Sequence, residues 1–158
     1  MSIPPMSGPP SGVYTITSLS GKGGVVGVAP ILPAFQQLAT FPENPFDSKW
    51  QVTRTPKGTY LLSILNGYRY SGVLDDRIVI ATIHEHQSNE WEITSFQYQG
   101  PNLYAIQLVD RSKAWTLDNV DSEEQSRIIA EHLQLTKDLP PQALPYQLFQ
   151  IRKSMSSA

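Results

Sequence analysis

Apolar residues in this chain come in short alternating runs, each broken by glycine, proline or asparagine. Val13-Tyr14-Thr15-Ile16-Thr17 is the first. Runs of the same kind return at Thr59–Ile64 and Leu103–Leu108, each with a tyrosine near its start and an apolar residue two positions on. The tyrosines, Tyr14, Tyr60 and Tyr104, recur with a period of about 45 residues, and Gly12, Gly58 or Asn102 stands just before each run. A turn residue followed by period-two alternation is the mark of a half-buried strand. A second landmark follows each run: Lys49-Trp50-Gln51-Val52, Glu90-Trp91-Glu92-Ile93 and Leu148-Phe149-Gln150-Ile151. Its aromatic and the β-branched residue two places later share a strand face, so Trp50, Trp91 and Phe149 read as core. Between the landmarks lie two weaker strands per module. These are Val25–Val28 with Leu38–Phe41, Tyr68–Gly72 with Ile78–Ile83, and Lys113–Leu117 with Arg127–Leu133. Asn66-Gly67 is a hairpin signal inside the second module.

This pattern predicts an all-β chain: a β-trefoil of twelve short strands in three pseudo-threefold repeats. One four-strand module has an apolar face it cannot hide alone, and three around an axis hide it together. The modules are placed at about residues 12–56, 57–99 and 100–153 of one domain. Residues 1–11, rich in Pro, Ser and Gly, are expected to be a disordered tail, and 154–158 a flexible end. Ser122–Leu135 also fits an amphipathic helix capped by Ser122, but the repeat favours a strand in its second half. Trp115 and Tyr98 fall outside the repeated positions and are read as free to be exposed. Two stretches break the symmetry: Ala29–Ser48, with four prolines, and Thr136–Pro145 in the long third module. Function on a compact barrel usually sits in such loops.

Composition removes several chemistries. The 158 residues include thirteen prolines and ten glycines but no cysteine, which excludes disulfides, thiolate metal sites and a cysteine nucleophile. Only 16% of residues are charged, and the net charge of −2 is scattered, without the basic stripe a nucleic-acid partner requires. No apolar stretch approaches the ~18 residues of a membrane span, and the N-terminus lacks the pattern of a secretory signal. A cytoplasmic monomer is expected. Gly21-Lys22-Gly23-Gly24 lacks the spacing of a phosphate loop and reads as a hairpin turn. His84-Glu85-His86 is the one metal-like cluster, and no third ligand accompanies it. Neither catalysis nor a cofactor or metal is expected.

Two resemblances follow. The triplets Ser48-Lys49-Trp50, Asn89-Glu90-Trp91 and Gln147-Leu148-Phe149 resemble the Gln-x-Trp signature of ricin-B-type lectins, although none is intact. Carbohydrate binding is therefore the alternative function. A broader likeness runs from Ser11 to Lys153. It includes Gly12-Val13-Tyr14-Thr15-Ile16, the Val26-Gly27 step before a Pro-rich loop, Lys113-Ala114-Trp115-Thr116-Leu117 and Gln147-Leu148-Phe149-Gln150-Ile151. In these the chain resembles the mushroom serine protease inhibitors of the cospin type.

That resemblance implies a non-catalytic binding module that presents a rigid, substrate-like loop to a protease. Val28, followed by Ala29, stands where the cospin pattern has an arginine. An aliphatic side chain suits an elastase-like pocket and not the carboxylate-ended pocket of trypsin. Relatives also use the loop before the last strand, which here holds Lys137 and Asp138 ahead of Leu139-Pro140-Pro141. Arg77 and Lys57 are further candidates by charge. Asn66 is the residue to test if the chain resembles the mycocypins, which inhibit legumain. The remaining expectation is a trefoil that has lost inhibition and binds another protein.

Overall fold

The structure, a computed structural model, describes residues 8–19, 24–27, 35–41, 49–64, 69–75, 77–83, 88–118 and 127–153. Over these residues the chain is all-β, with two single 3-10 turns, Gln97–Gln99 and Pro145–Gln147, as its helical content. The first module holds β1 (Gly12–Ser18), β2 (Val25–Gly27), β3 (Phe35–Gln37), β4 (Ala39–Phe41) and β5 (Lys49–Arg54). The second holds β6 (Tyr60–Ile64), β7 (Arg69–Leu74), β8 (Ile78–Thr82) and β9 (Trp91–Ser95). The third holds β10 (Leu103–Leu108), β11 (Ala114–Leu117), β12 (Ile128–Glu131) and β13 (Phe149–Lys153).

Among the described residues, thirteen segments replace the twelve expected because one predicted strand is longer and divided. At Leu38 the chain changes neighbours: β3 pairs with β8 while β4 pairs with β2. Leu38 itself is fully buried, donating to the Val79 carbonyl at 2.9 Å and accepting from the Ile128 amide at 2.8 Å. Where a helix competed with a strand, β12 occupies Ile128–Glu131; the preceding 119–126 lie outside the described residues.

Six strands close a ring through the antiparallel pairs β1–β5, β5–β6, β6–β9, β9–β10, β10–β13 and β13–β1. Within it the two landmarks of each module are direct cross-strand partners: Tyr14 with Trp50, Tyr60 with Trp91, Tyr104 with Phe149. The remaining strands form the hairpins β2–β4, β7–β8 and β11–β12. These are tied to one another by β3–β8, by Ile78 opposite Ile129, and by a bridge between Ala39 and Arg127.

Alternation decides which side chains fill the ring. Tyr14 and Ile16 of β1 are buried, as are Trp50 and Val52 of β5, while Thr15 and Gln51 between them are partly exposed. The centre of this core corrects one sequence expectation. Trp115, read as free to be exposed, is fully buried, with ring centroids 5.8 Å from each of Trp50, Trp91 and Phe149 in edge-on contacts. Three repeat-related aromatics leave a gap where they converge, and one indole from the third module fills it. The second strands of the other modules serve as hydrogen-bond acceptors instead. Trp50 Nε1 donates to the Val26 carbonyl at 3.0 Å and Trp91 Nε1 to Ser71 Oγ at 2.7 Å. Phe149 has no such donor, and the Trp115 N–H is buried without a partner.

The expected tail boundary also moves. Pro9 is buried, and its carbonyl accepts from the Tyr60 hydroxyl at 2.6 Å. The Pro10 carbonyl accepts from Tyr14 at 2.7 Å, and Ser11 Oγ from the Arg54 amide at 2.8 Å. Two repeat tyrosines thus hold the segment from Gly8 to Ser11 against the barrel, so the packed chain starts before residue 12. Gly8 fits closely there: a Cβ would lie 2.5 Å from the Tyr60 hydroxyl oxygen, so a larger residue forces the segment or the tyrosine ring to shift.

Candidate functional site

β10 is buried on both faces, unlike a strand with one side in water. Tyr104 and Ile106 enter the main core, whereas Leu103 and Ala105 join a second cluster with Phe96, Ala143 and Leu148. That smaller cluster fastens the long connection between β12 and β13 to the outside of the barrel. Each leucine it buries contributes about 1.5–3 kcal/mol. Gln147, also buried, completes the attachment. Its amide donates to the His132 carbonyl at 2.9 Å and to Thr116 Oγ1 at 3.1 Å, and accepts from the Gln134 amide at 2.9 Å. Asn89, at the matching place two residues before Trp91, accepts from the Val73 amide at 2.8 Å. The amide of the lectin-like triplet is here a brace between strands.

From this attached base a loop of residues 136–142 stands out. Leu135 and Ala143 close it as an antiparallel bridge. Thr136 donates its amide to the Gln142 carbonyl at 2.9 Å, and its hydroxyl oxygen accepts from the amides of Gln142 at 3.0 Å and Asp138 at 3.4 Å. The turn Gln97–Gln99 supplies outside support. The Gln99 side chain grips the Ala143 backbone at both ends, Nε2 to the carbonyl at 3.1 Å and Oε1 from the amide at 2.8 Å. The Tyr98 hydroxyl donates to the Pro141 carbonyl, its ring packed on Phe96 at 5.6 Å. Pro140 and Pro141 restrict the backbone further, and the Leu139–Pro140 peptide is cis. Residues 136–142 are all exposed, and among the described residues neither Lys137 nor Asp138 has a side-chain partner.

The other candidates sit elsewhere. Lys57 occupies a tight turn between β5 and β6, closed by the Thr55 amide on the Thr59 carbonyl at 2.8 Å, with Gly58 at φ 85°. Its ammonium lies 3.3 Å from Glu90. The Thr59 hydroxyl, and then Lys57, hold the Glu90 carboxyl below its usual range. Arg77 closes the β7–β8 turn, where its carbonyl accepts from the Ala130 amide at 2.6 Å. Val28, Ala29 and Asn66 lie outside the described residues, as do His84 and His86. The structure therefore brings Lys137 and Asp138 together on one braced loop and leaves Lys57 and Arg77 on separate elements. Gln99 and Leu139 were not singled out from sequence, and Gln147 was named only as part of a lectin-like triplet. The Gln99 amide carries no periodic signal, and Leu139 in a Pro-rich run gives no sign of its orientation.

The peptidase inhibitor I66 family model matches residues 6–153. The chain belongs to this family. The cospin-type resemblance is thereby borne out over nearly the whole chain. Among solved structures it is similar to a proteinase inhibitor from Coprinopsis cinerea, at 20% identity and a TM-score of 0.80, covering 91% of this chain and 98% of that one. It is also similar to the designed 3-fold symmetric protein ThreeFoil, at 13% identity and a TM-score of 0.70, covering 90% and 99%. A ricin B-like lectin from Macrolepiota procera, in complex with lactose, matches at 14% identity and a TM-score of 0.69, covering 92% and 98%. At such identities these likenesses concern the fold. No curated protein sequence matches significantly. The 136–142 loop is exposed along its length and braced from two sides.

Proposed function

We propose that this chain is an inhibitor of serine proteases, built as a β-trefoil, that offers its 136–142 loop to the enzyme's active site. The six-stranded ring with three mutually paired hairpins supports the trefoil reading, as does the threefold recurrence of tyrosine opposite an aromatic. The observation that carries the inhibitory assignment is the loop itself, exposed along its length and held at its base from two sides. Ordering a free backbone costs roughly 1–2 kcal/mol per residue, so a loop already fixed surrenders little on docking. Membership of a peptidase inhibitor family supplies the partner class, and the cospin-type resemblance favours the serine class within it.

The test is titration against trypsin, chymotrypsin, elastase, subtilisin, papain and legumain. A companion variant has residues 136–142 replaced by a short Gly/Ser linker. Inhibition of at least one serine protease at or below about micromolar concentration, lost in the linker variant, is expected. No inhibition of any of the six overturns the proposal, and binding confined to a glycan array instead favours the lectin alternative.

A further inference from the structure

We infer that Leu139 is the anchor side chain of this loop, and that the protease it fits has a deep apolar primary pocket. The inference rests on the inhibitor reading above and sharpens its target. Leu139 is 94% exposed, whereas the other exposed large apolar residues among those described lie between 40% and 53%. An almost wholly hydrated leucine is a standing cost that a mobile loop relieves by folding back onto the barrel. Here the loop is held away from the barrel by Thr136 within it and by Tyr98 and Gln99 beneath it.

The neighbours favour Leu139 over the charged candidate. Lys137 has the right sign for a pocket ending in a carboxylate, but Asp138 directly follows it and no described residue neutralises that acid. Such an enzyme would be drawn to one residue and repelled by the next. An apolar pocket accepts the leucine while both charges stay in water at the rim. Pro140 and Pro141 follow without backbone N–H groups and with restricted φ, so the chain leaving the anchor is stiff. A rigid projecting side chain entering a dry pocket is the arrangement that concentrates affinity in one residue.

The experiment measures inhibition of chymotrypsin, subtilisin and trypsin by the full chain and by Leu139→Ala, Leu139→Arg and Lys137→Ala. All three substitutions are at exposed positions and leave the buried core intact. The wild type is expected to act on chymotrypsin or subtilisin in preference to trypsin. Leu139→Ala should weaken that inhibition about tenfold to a hundredfold, the effect of withholding three buried carbons. Leu139→Arg should shift inhibition toward trypsin, and Lys137→Ala, on the same loop, should weaken inhibition less than Leu139→Ala does. Preference for trypsin in the wild type, or loss on Lys137→Ala with Leu139→Ala unaffected, overturns the inference. If the Gly/Ser linker abolishes inhibition but Leu139→Ala does not, the loop assignment stands and the anchor falls. If the linker variant still inhibits, both fall.

Discussion

Gln99 gives the sharpest handle on whether loop order determines affinity. Its side chain makes two hydrogen bonds to the Ala143 backbone and lies outside the exposed 136–142 segment. Each such bond is worth about 1 kcal/mol net, so Gln99→Ala withdraws at most about 2 kcal/mol from the closed loop. Apparent affinity scales with the fraction of molecules whose loop is closed, which bounds the rise in Ki at about 30-fold. Gln99→Glu keeps the acceptor and loses the donor, and should fall between. The base of the loop remains held by Gln147 and the Leu148 cluster, so the thermal midpoint should drop by no more than about 8 °C. The assay pairs Ki with hydrogen exchange at the Ala143 amide, and Gln97→Ala, an exposed neighbour, serves as control. If Ala143 exchange accelerates in Gln99→Ala while Ki does not move, the reasoning fails, because a loosened loop would then bind as well as a fixed one.

Other consequences are more local. Trp115→Ala should destabilise the fold by about 3–5 kcal/mol in urea titration, whereas Trp115→Phe should cost less, since the N–H it deletes has no partner. Tyr60→Phe should cost about 1 kcal/mol through loss of its bond to the Pro9 carbonyl, and close to nothing once residues 1–10 are removed. Burial raises the pKa values of Tyr14, Tyr60 and Tyr104 above the ordinary 10.0. The folded state therefore keeps protons that the unfolded chain releases. Stability is full below pH 10.0 and falls as pH rises through the higher folded values, so the urea midpoint should decline there. A flat profile up to alkaline unfolding would contradict this.

The repeat was legible because it is written in apolar side chains at fixed spacing. Tyr14, Tyr60 and Tyr104, with Trp50, Trp91 and Phe149, mark strands and core in the sequence, and in the structure each pair meets across the ring. Trp115 escaped for the opposite reason. A residue that fills the gap where three repeat-related aromatics converge can come from one module alone, so the matching strands carry Val26 and Ser71 and no repeat marks it. Gly8–Ser11 looked like a tail because their bonds go out through backbone carbonyls and one hydroxyl, which composition does not reveal. The 136–142 loop could be located from its prolines and its length. Its bracing could not, because Gln99 and Ala143 are far apart in the chain and an amide side chain looks the same whether it clamps a backbone or points into water. Leu139 is the extreme case: residue type argues for burial, and only the surrounding anchors hold it out.

The central claim, that residues 136–142 are what the protease sees, is most directly tested by hydrogen-exchange footprinting of the complex with the serine protease inhibited best. Protection should appear at Lys137, Asp138, Leu139 and Gln142 and at the supporting Ala143, with the Pro56–Gly58 turn and the turn residues Asp75 and Arg77 unchanged. Protection at either of those turns, with residues 136–142 exchanging as in the free protein, would contradict the account.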